Sequence, residues 1–268
     1  MQKTAVLLGL LGFCTHGFAY DKQVDVGFKI IDIDEQIIDS HYEVHTHGTF
    51  YFDQVQTKAG PWNELAFLGK HSNFSLLYDY QYLDTHTIDD ISIETDQHTL
   101  GAGLQYFQND LYAELALSYD QYAATLDVPE LRGKAHDDNL NYRALVGYFP
   151  APDLLLAAGI DGYNGDSGDD TRLALKAKYV TALSASTFMN LEAQAEFGDD
   201  DDLYIAADYY PNRQVSIGLG YRASDLSYED EVLQIRSQYF FNPQFALTGV
   251  VGLGSDVQLF SLTANLRF

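Results

Sequence analysis

Apolar and polar residues alternate along most of the chain in short runs, which is the pattern of β-strands with two different faces. Clear examples are residues 140–148, 154–160 and 215–221, where every second side chain is apolar. Turn-forming residues separate the runs. Counting the runs predicts about fourteen strands, with roughly 12 or 16 as the alternatives because strand boundaries read from sequence err by a few residues.

The last run ends the chain on an aromatic residue, as outer-membrane β-barrels do. Phe260, Leu262, Ala264, Leu266 and Phe268 share one face of this strand. After the N-terminal residues, no stretch of the chain is long and apolar enough for a membrane-spanning helix, which needs about 20 residues. A closed barrel is the other fold that satisfies its backbone in lipid. The pattern therefore predicts an all-β transmembrane antiparallel up-and-down barrel, with Phe268 as the terminal signal for the barrel-assembly machinery.

The connections between runs fall into two kinds, which predicts how the barrel is oriented. One kind is short and follows aromatic residues; the other is longer and acidic. Short turns beside an aromatic girdle belong at the periplasmic rim, and longer polar loops belong outside. Both termini are then periplasmic. The short connections are 108–110, 150–153, 211–213 and 242–244, and the acidic ones are 84–96, 165–170, 199–202 and 225–231.

The first residues carry the features of a secretory signal. Lys3 is followed by an apolar stretch over residues 5–13 and by a small-x-small site at residues 17–19. Residues 1–19 are therefore predicted to be a signal peptide cut before Tyr20, which leaves residues 20–268 as one barrel domain. Acylation at Cys14 is the alternative, but Phe13 stands where lipoprotein processing needs a small residue. Removal of Cys14 leaves no cysteine, so a disulfide-stapled domain is excluded.

Charge and composition support a membrane barrel. The formal net charge is -24, which makes nucleic acid an implausible partner. The chain has 20 tyrosines and 16 phenylalanines but one tryptophan and one cysteine, which suits a barrel with aromatic belts at both membrane interfaces. No cofactor is expected.

One segment between the second and third strands is too long for a periplasmic turn. Pro61 at a first helical position and Gly69 after the end predict a short helix. Trp62, Glu64 and Phe67 lie within it. Two interpretations stay open: a plug at the pore mouth, or a structural clasp at the inner rim, which the sequence favours.

The same segment carries a resemblance. The Gly-Pro-x-x-Glu-Leu-Ala-Phe-Leu stretch at 60–68, which follows the Phe50-Tyr51-Phe52 strand and precedes a serine-containing strand at 72–80, resembles the general-porin family of Gram-negative bacteria. The later aromatic-turn boundaries are also similar. The resemblance implies location in the outer membrane and passive transport.

If the apolar residues of each run face lipid, the residues between them line the lumen. Two arrangements stay open. Acidic and basic walls could set up a transverse field across a constriction, or the charges could form solvated ion pairs. The predicted pore-lining residues are Glu43, His45, His47, Asp53, Asp79, Glu114 and Asp120 on the earlier strands, and Arg143, Arg172, Lys176, Lys178, Arg222, Arg236 and Arg267 on the later ones.

Histidines at positions 41, 45 and 47 fall on one face of the second strand. Residues two apart on a strand lie about 7 Å apart, so His45 and His47 are candidates for a shared zinc or copper ion. No second strand offers further ligands, so no metal site is predicted. A pH gate formed by these histidines is an alternative of similar weight.

These features predict an outer-membrane porin for small hydrophilic solutes and ions, with a preference for cations near the acidic mouth. The alternative is a non-conducting structural or adhesive barrel that acts through its acidic loops, which could also contact lipid and lipopolysaccharide. No nucleophile elbow and no His-Glu-x-x-His motif is found, so enzyme activity is not predicted. Whether the barrel is a monomer or a trimer stays open.

Overall fold

Fourteen β-strands form one closed antiparallel barrel, which confirms the predicted fold. The computed structural model describes residues 19–33, 38–56, 60–86, 92–128, 131–166, 168–225 and 231–268. Apart from Ala19, the predicted signal peptide lies outside these residues. The strands are β1 (Ala19–Ile33), β2 (Ile38–Gln56), β3 (Asn73–His86), β4 (Ser92–Gln108), β5 (Leu111–Val128), β6 (Leu131–Ala151), β7 (Leu154–Gly165), β8 (Gly168–Ala182), β9 (Phe188–Phe197), β10 (Asp202–Tyr210), β11 (Val215–Ser224), β12 (Glu231–Asn242), β13 (Phe245–Leu253) and β14 (Val257–Arg267).

The barrel closes where β14 pairs with β1. The register runs from Gln23 opposite Arg267 to Ile33 opposite Val257. Phe268 continues the ladder, because its backbone N–H donates to the Lys22 carbonyl at 3.0 Å. We call the end where β1 begins and β14 ends the terminal end, and the opposite end the far end.

Burial along the strands is inverted relative to a soluble protein. On β10, Leu203 and Ile205 are 39% and 45% exposed, whereas Asp202 and Asp208 are 5% exposed. Exposed large apolar residues and buried charges indicate that the outer face meets lipid and that the polar face lies inside. The alternation read from the sequence therefore assigns the two faces of the wall.

Aromatic side chains mark the terminal end of the outer face. Tyr106, Tyr148, Tyr209 and Tyr239 each lie there, between 46% and 52% exposed, next to turns at 109–110, 152–153, 211–214 and 243–244. This agrees with the short turns and aromatic girdle expected from the sequence.

The far end corrects one expectation. The predicted outer loop at 84–96 consists mostly of strand, because β3 runs to His86 and β4 begins at Ser92. On the next hairpin, β5 and β6 pair as far as Val128 and Leu131. The run there contains β-branched residues such as Thr85 and Ile93, which suit a continued ladder. The strands β3 to β6 therefore extend to nearly the same level at the far end.

The described residues form three apolar clusters. One of them, Tyr20, Val55 and Leu65, involves the segment between β2 and β3, and the other two lie at opposite ends of the lumen. Leu145, Phe149 and Leu155 form one near the terminal end. Ile31 and Leu259 belong to the other, where β12, β14 and β1 approach the far end. The remaining inner surface between them is polar, and it contains the candidate site.

The segment between β2 and β3 contains the predicted short helix, shifted by one residue. Trp62–Glu64 form a 3-10 turn that leads into α1 (Leu65–Leu68). Pro61 is the N-cap rather than the first helical residue, with φ -61° and ψ 140°. A search of the described residues for a helix of sufficient length and apolarity to cross a membrane finds none.

A substitution at Gly27 tests how closely side chains pack against the inner face of the barrel wall. A Cβ at this position would collide with the His45 imidazole ring and lie 2.5 Å from the Thr263 hydroxyl oxygen. We expect Gly27→Val to lower the free energy of unfolding by about 1–3 kcal/mol, the usual cost of overpacking, in urea titrations of the refolded protein in lipid vesicles. Gly249→Val is the control, because a Cβ there meets no atom within 4 Å. Removing both neighbours in Gly27→Val/His45→Ala/Thr263→Ala should restore most of the loss relative to His45→Ala/Thr263→Ala; an unchanged loss would contradict the assigned contacts.

Candidate functional site: the lumen and the segment that crosses it

Long-range contacts establish which candidate residues face the interior. Arg143 on β6 donates to Glu196 on β9 at 2.7 Å, and Lys176 on β8 donates to Glu114 on β5 at 2.6 Å. Side chains three strands apart meet only across the interior of the barrel. These side chains therefore point into the interior of the barrel.

An ionic network covers the wall formed by β5 to β9. The Arg143 guanidinium lies 3.3 Å from Glu114 and 3.2 Å from Asp161, in addition to Glu196. Arg172 contacts Asp161 and lies 3.8 Å from Asp170. A guanidinium has several donors in a planar fork, so one arginine serves several carboxylates. The network satisfies charges that would otherwise be costly to hold in a partly dry lumen.

Ion pairs continue along the same side of the barrel. Lys178 lies 2.9 Å from Glu192. Arg236 contacts Asp208 and lies 3.7 Å from Glu192. Arg222 lies 2.8 Å from Asp202.

The basic residues therefore alternate with acids rather than forming a separate basic wall. Six of the seven predicted basic lining residues contact a carboxylate. Of the two arrangements that the sequence left open, the geometry favours ion pairs over a basic wall that generates a transverse field. The six are Arg143, Arg172, Lys176, Lys178, Arg222 and Arg236.

The acids on the wall formed by β1 to β4, and Asp120 of β5, meet mainly neutral donors. Asp120 accepts hydrogen bonds from the Thr99 hydroxyl at 2.6 Å and the Asn141 amide at 2.7 Å. Asp25 accepts one from Gln23 at 3.0 Å and another from Asn265. Amides and hydroxyls, rather than Lys or Arg, therefore hold these two carboxylates.

Two further acids of this wall share a small cavity. Glu43 and Asp79 line a space of about 180 Å³ together with Gln81, Gln97 and Thr99. Lys29 lies 3.8 Å from Glu43. Carboxylate, amide and hydroxyl groups form this surface.

His45 and His47 turn to different neighbours. The His45 ring crosses above Gly27 and its Nε2 lies 3.1 Å from the Thr263 hydroxyl, while its Nδ1 lies 3.9 Å from Glu43. His47 Nδ1 lies 3.9 Å from Asp25. Among the described residues, no group of three or more potential metal ligands is gathered.

Asp53 is placed differently from the other acids. It lies at the terminal end of β2, between the Lys22–Phe50 and Tyr20–Val55 pairs, where the register with β1 shifts. Its side chain is exposed.

The segment from Gly60 to His71, which we call the plug segment, folds into the terminal end of the barrel. Gly60 has φ 135°, which residues with a Cβ rarely adopt, and this conformation turns the chain inward. After α1, the Gly69 N–H donates to the Leu65 carbonyl and the His71 N–H to the Ala66 carbonyl, both at 2.9 Å. These bonds send the chain back towards β3.

Side chains of the plug segment contact the wall on opposite sides. Leu65 packs against Tyr20 of β1 and Val55 of β2. The remaining apolar contacts are aromatic: Phe67 lies 5.8 Å from Phe149 of β6, and Trp62 lies edge-on to Phe240 of β12 at 5.7 Å, between ring centroids. Contacts with such widely separated strands mean that the segment crosses the lumen, so the geometry favours the plug over the clasp that the sequence favoured.

Glu64 anchors the plug segment. It is 1% exposed, accepts a hydrogen bond from the Tyr210 hydroxyl at 2.7 Å and lies 2.8 Å from the Lys178 ammonium. Lys178 also lies above the Phe67 ring at 5.2 Å. A buried carboxylate needs both charge compensation and hydrogen bonds, and this trio supplies them.

Arg267 holds the other side of the plug segment. Its guanidinium donates to the Trp62 carbonyl at 2.7 Å and to Gln23 at 3.0 Å, and it stacks between the rings of Tyr20 and Phe240 at 4.8 and 4.6 Å. The Trp62 N–H donates to the Arg213 carbonyl at 2.9 Å. One arginine of the closing strand therefore links barrel closure to the plug segment.

Lys70 ties the end of the plug segment to neighbouring turns. Its ammonium donates to the Asn109 carbonyl and to Asp110, both at 2.9 Å, and lies above the Phe149 ring. In the adjacent β6–β7 turn, burial raises the pKa of the Asp153 carboxyl, and Lys70 acts in the opposite direction.

A cavity of about 390 Å³ lies directly on the inner side of the plug segment. Asn63, Ala66 and Phe67 form part of its lining, together with Lys176 and Lys178 of β8. The sequence identified Glu64, Lys176 and Lys178 but missed the amide residues of the lining. It also missed Tyr210, which lies outside the lining and donates to Glu64. The inward parity of Tyr210, directly after the outward Tyr209, is the signal that could have found it.

The Glu64–Lys178 contact gives a test of the plug segment. Trp62 is the single tryptophan of the chain, so its fluorescence reports on this segment alone. In Lys178→Met, Glu64 stays buried without its cation, a loss that costs about 3–5 kcal/mol. We expect red-shifted Trp62 emission and stronger acrylamide quenching. Lys176→Met is the control, because that ammonium binds Glu114; equal spectra for the two variants would contradict the anchor.

Comparison with known proteins supports the fold. No protein-family pattern matches the chain, and no curated protein matches its sequence. Several solved structures are similar. The outer membrane protein Omp33 of Acinetobacter baumannii matches with a TM-score of 0.65 and 20% sequence identity, over 94% of this chain and 100% of that one. The monoaromatic hydrocarbon channel CymD matches with a TM-score of 0.59 and 10% identity, over 94% of this chain and 89% of that one. The toluene transporter TodX of Pseudomonas putida matches with a TM-score of 0.53 and 10% identity, over 96% of this chain and 91% of that one. The chain therefore has the fold of outer-membrane β-barrels.

Proposed function

We propose that this protein is an outer-membrane channel of a Gram-negative bacterium, through which small hydrophilic solutes and ions diffuse passively. The observation that carries the proposal is a polar, charged inner face inside a closed barrel with an apolar outer face. Barrels of about eight strands are filled by side chains, and those of 16 to 18 enclose water. Fourteen strands support a lumen with room for solutes.

The plug segment makes this a channel that is closed at one end. With the terminal end towards the periplasm, as short turns and aromatic girdles are arranged in such barrels, the segment lies across the periplasmic mouth. Glu64 and Arg267 hold it by ion-pair and hydrogen-bond contacts rather than by a covalent link. Conduction then requires the segment to leave the mouth for part of the time.

A cation preference follows from the contrast between two sets of acids. Lys and Arg contact Glu114 of β5 and the acids on β7 to β10, whereas Asp25 and Asp120 are held by neutral donors. Uncompensated carboxylates in a confined lumen lower the energy of a cation and raise that of an anion. We place the selectivity on the inner wall, in addition to the acidic far end.

The plug segment also favours a second candidate, a non-conducting barrel that acts through its acidic far end. A permanently closed mouth would leave adhesion or contact with lipopolysaccharide as the activity. In either case we propose that Phe268 engages the barrel-assembly machinery, because it completes the β1–β14 ladder.

Single-channel recording in planar bilayers separates these candidates. Loss of even about 3 kcal/mol from the plug contacts shifts the closed-to-open equilibrium by roughly 100-fold. We expect brief, infrequent openings of the native protein and a large rise in open probability for Lys178→Met, with Lys176→Met close to native. If Lys178→Met and a variant with residues 61–70 replaced by a Gly-Ser linker are both silent although correctly folded, the channel proposal is wrong and the second candidate stands.

Reversal potentials in a salt gradient test the source of selectivity. Asp25→Asn/Asp120→Asn removes the two carboxylates that neutral donors hold on the inner wall and should lower the cation-to-anion permeability ratio several-fold, most strongly at low salt. Asp199→Asn/Asp200→Asn removes two charges from the β9–β10 connection at the far end and serves as the matched control. A larger effect in the control pair would place the selectivity at the mouth instead.

A further inference from the structure

We propose that the cavity above the plug segment is a binding site for a neutral, polyhydroxylated solute of sugar type, of about mono- to disaccharide size. The inference rests on the proposed function, because a solute reaches this cavity through the lumen. It adds a substrate class to a channel whose fold alone specifies none.

The size and position of the cavity suit a small ligand. Ligand sites typically enclose about 300–1,000 Å³, and this space of about 390 Å³ lies at the lower end of that range. Its floor includes Asn63 and Phe67 of the plug segment, and its walls come from strands β1 to β9. A solute that has entered from the far end meets this space last before the closed mouth.

The charges that line the cavity already have partners. Lys178 lies between Glu64 and Glu192, at 2.8 and 2.9 Å, and Lys176 is paired with Glu114. A carboxylate or ammonium solute would have to displace one of these partners and leave a charge without compensation, which is costly in a partly dry site. The site therefore discriminates against charged solutes.

Two imidazoles, those of His47 and His71, also line the cavity. The remaining polar groups are amides and hydroxyls. Each carboxamide can both donate and accept hydrogen bonds, and each hydroxyl donates one hydrogen bond and can also accept. A polyol presents the same mixture at every carbon. A site that hydrogen-bonds the hydroxyl groups of its ligand discriminates strongly against analogues that lack those hydroxyls. An apolar pocket discriminates much less between ligands that differ slightly in size. The groups are those of Gln23, Thr49, Asn73, Ser75, Gln105 and Gln194.

Aromatic rings complete the lining. Tyr51, Phe107 and Tyr112 face the cavity in addition to Phe67, and the Phe107 and Tyr112 rings lie 5.0 Å apart. The face of an aromatic ring is electron-rich, so it packs well against the weakly positive C–H groups on the flat side of a sugar ring. Amides at the edge and rings at the face together match a carbohydrate better than a simple ion or an amino acid.

Isothermal titration calorimetry on the refolded full-length barrel in lipid nanodiscs tests the proposal. Sucrose is the neutral probe, and potassium gluconate and lysine are the charged ones. We expect saturable sucrose binding, with gluconate and lysine at least about tenfold weaker. Gln105→Leu/Gln194→Leu removes two amides from the lining and should weaken sucrose at least about tenfold, the loss for one to two hydrogen bonds.

The control is Gln97→Leu/Gln234→Leu, which removes two amides from inward positions outside this cavity and should leave the sucrose affinity unchanged. No sucrose binding, equal binding of gluconate or lysine, or equal losses in both double variants would overturn the inference. The result is independent of conduction: a conducting protein that ignores sucrose refutes the site alone, whereas sucrose binding by a protein without openings refutes the channel alone.

Discussion

The β1–β14 pairing is the constraint on which the rest of the structure depends. In lipid, each strand must satisfy its backbone on both sides, and a sheet achieves this only by closing on itself. Closure fixes which side chains point inward, and it brings Arg267 of the last strand next to Gln23 of the first. Because Arg267 also donates to the Trp62 carbonyl, the pairing that completes the wall also positions the plug segment.

The inner face shows two ways of holding polar groups where water is limited. In the network centred on Arg143, acids and bases compensate each other. Carboxylates outside that network, such as Asp120, rely on hydroxyl and amide donors instead. The proposed cation preference and the proposed solute site rest on this second kind of surface.

Much of this arrangement could be predicted from local sequence. Alternation assigned the inward residues, including Arg143 and Lys178, because strand geometry repeats every two residues. The partners of these residues could not be predicted, since Tyr210 and Glu64 are separated by 146 positions and meet only once the barrel has closed. For the same reason the sequence favoured a clasp over a plug. The short helix Leu65–Leu68 can be predicted from its own residues, but the distant strands that it contacts cannot. The strands within residues 84–96 were missed because a polar run is interpreted as a loop even where it continues a ladder.

The plug segment is joined to the wall at both ends, by β2 and by β3. Its departure from the mouth therefore leaves it tethered, and its return is an intramolecular step. For short flexible linkers the effective concentration of a tethered group is in the millimolar range, so recapture by Lys178 and Arg267 does not depend on how many copies of the protein the membrane holds. A closure built in this way resets itself after each opening, without a partner protein or a separate source of energy.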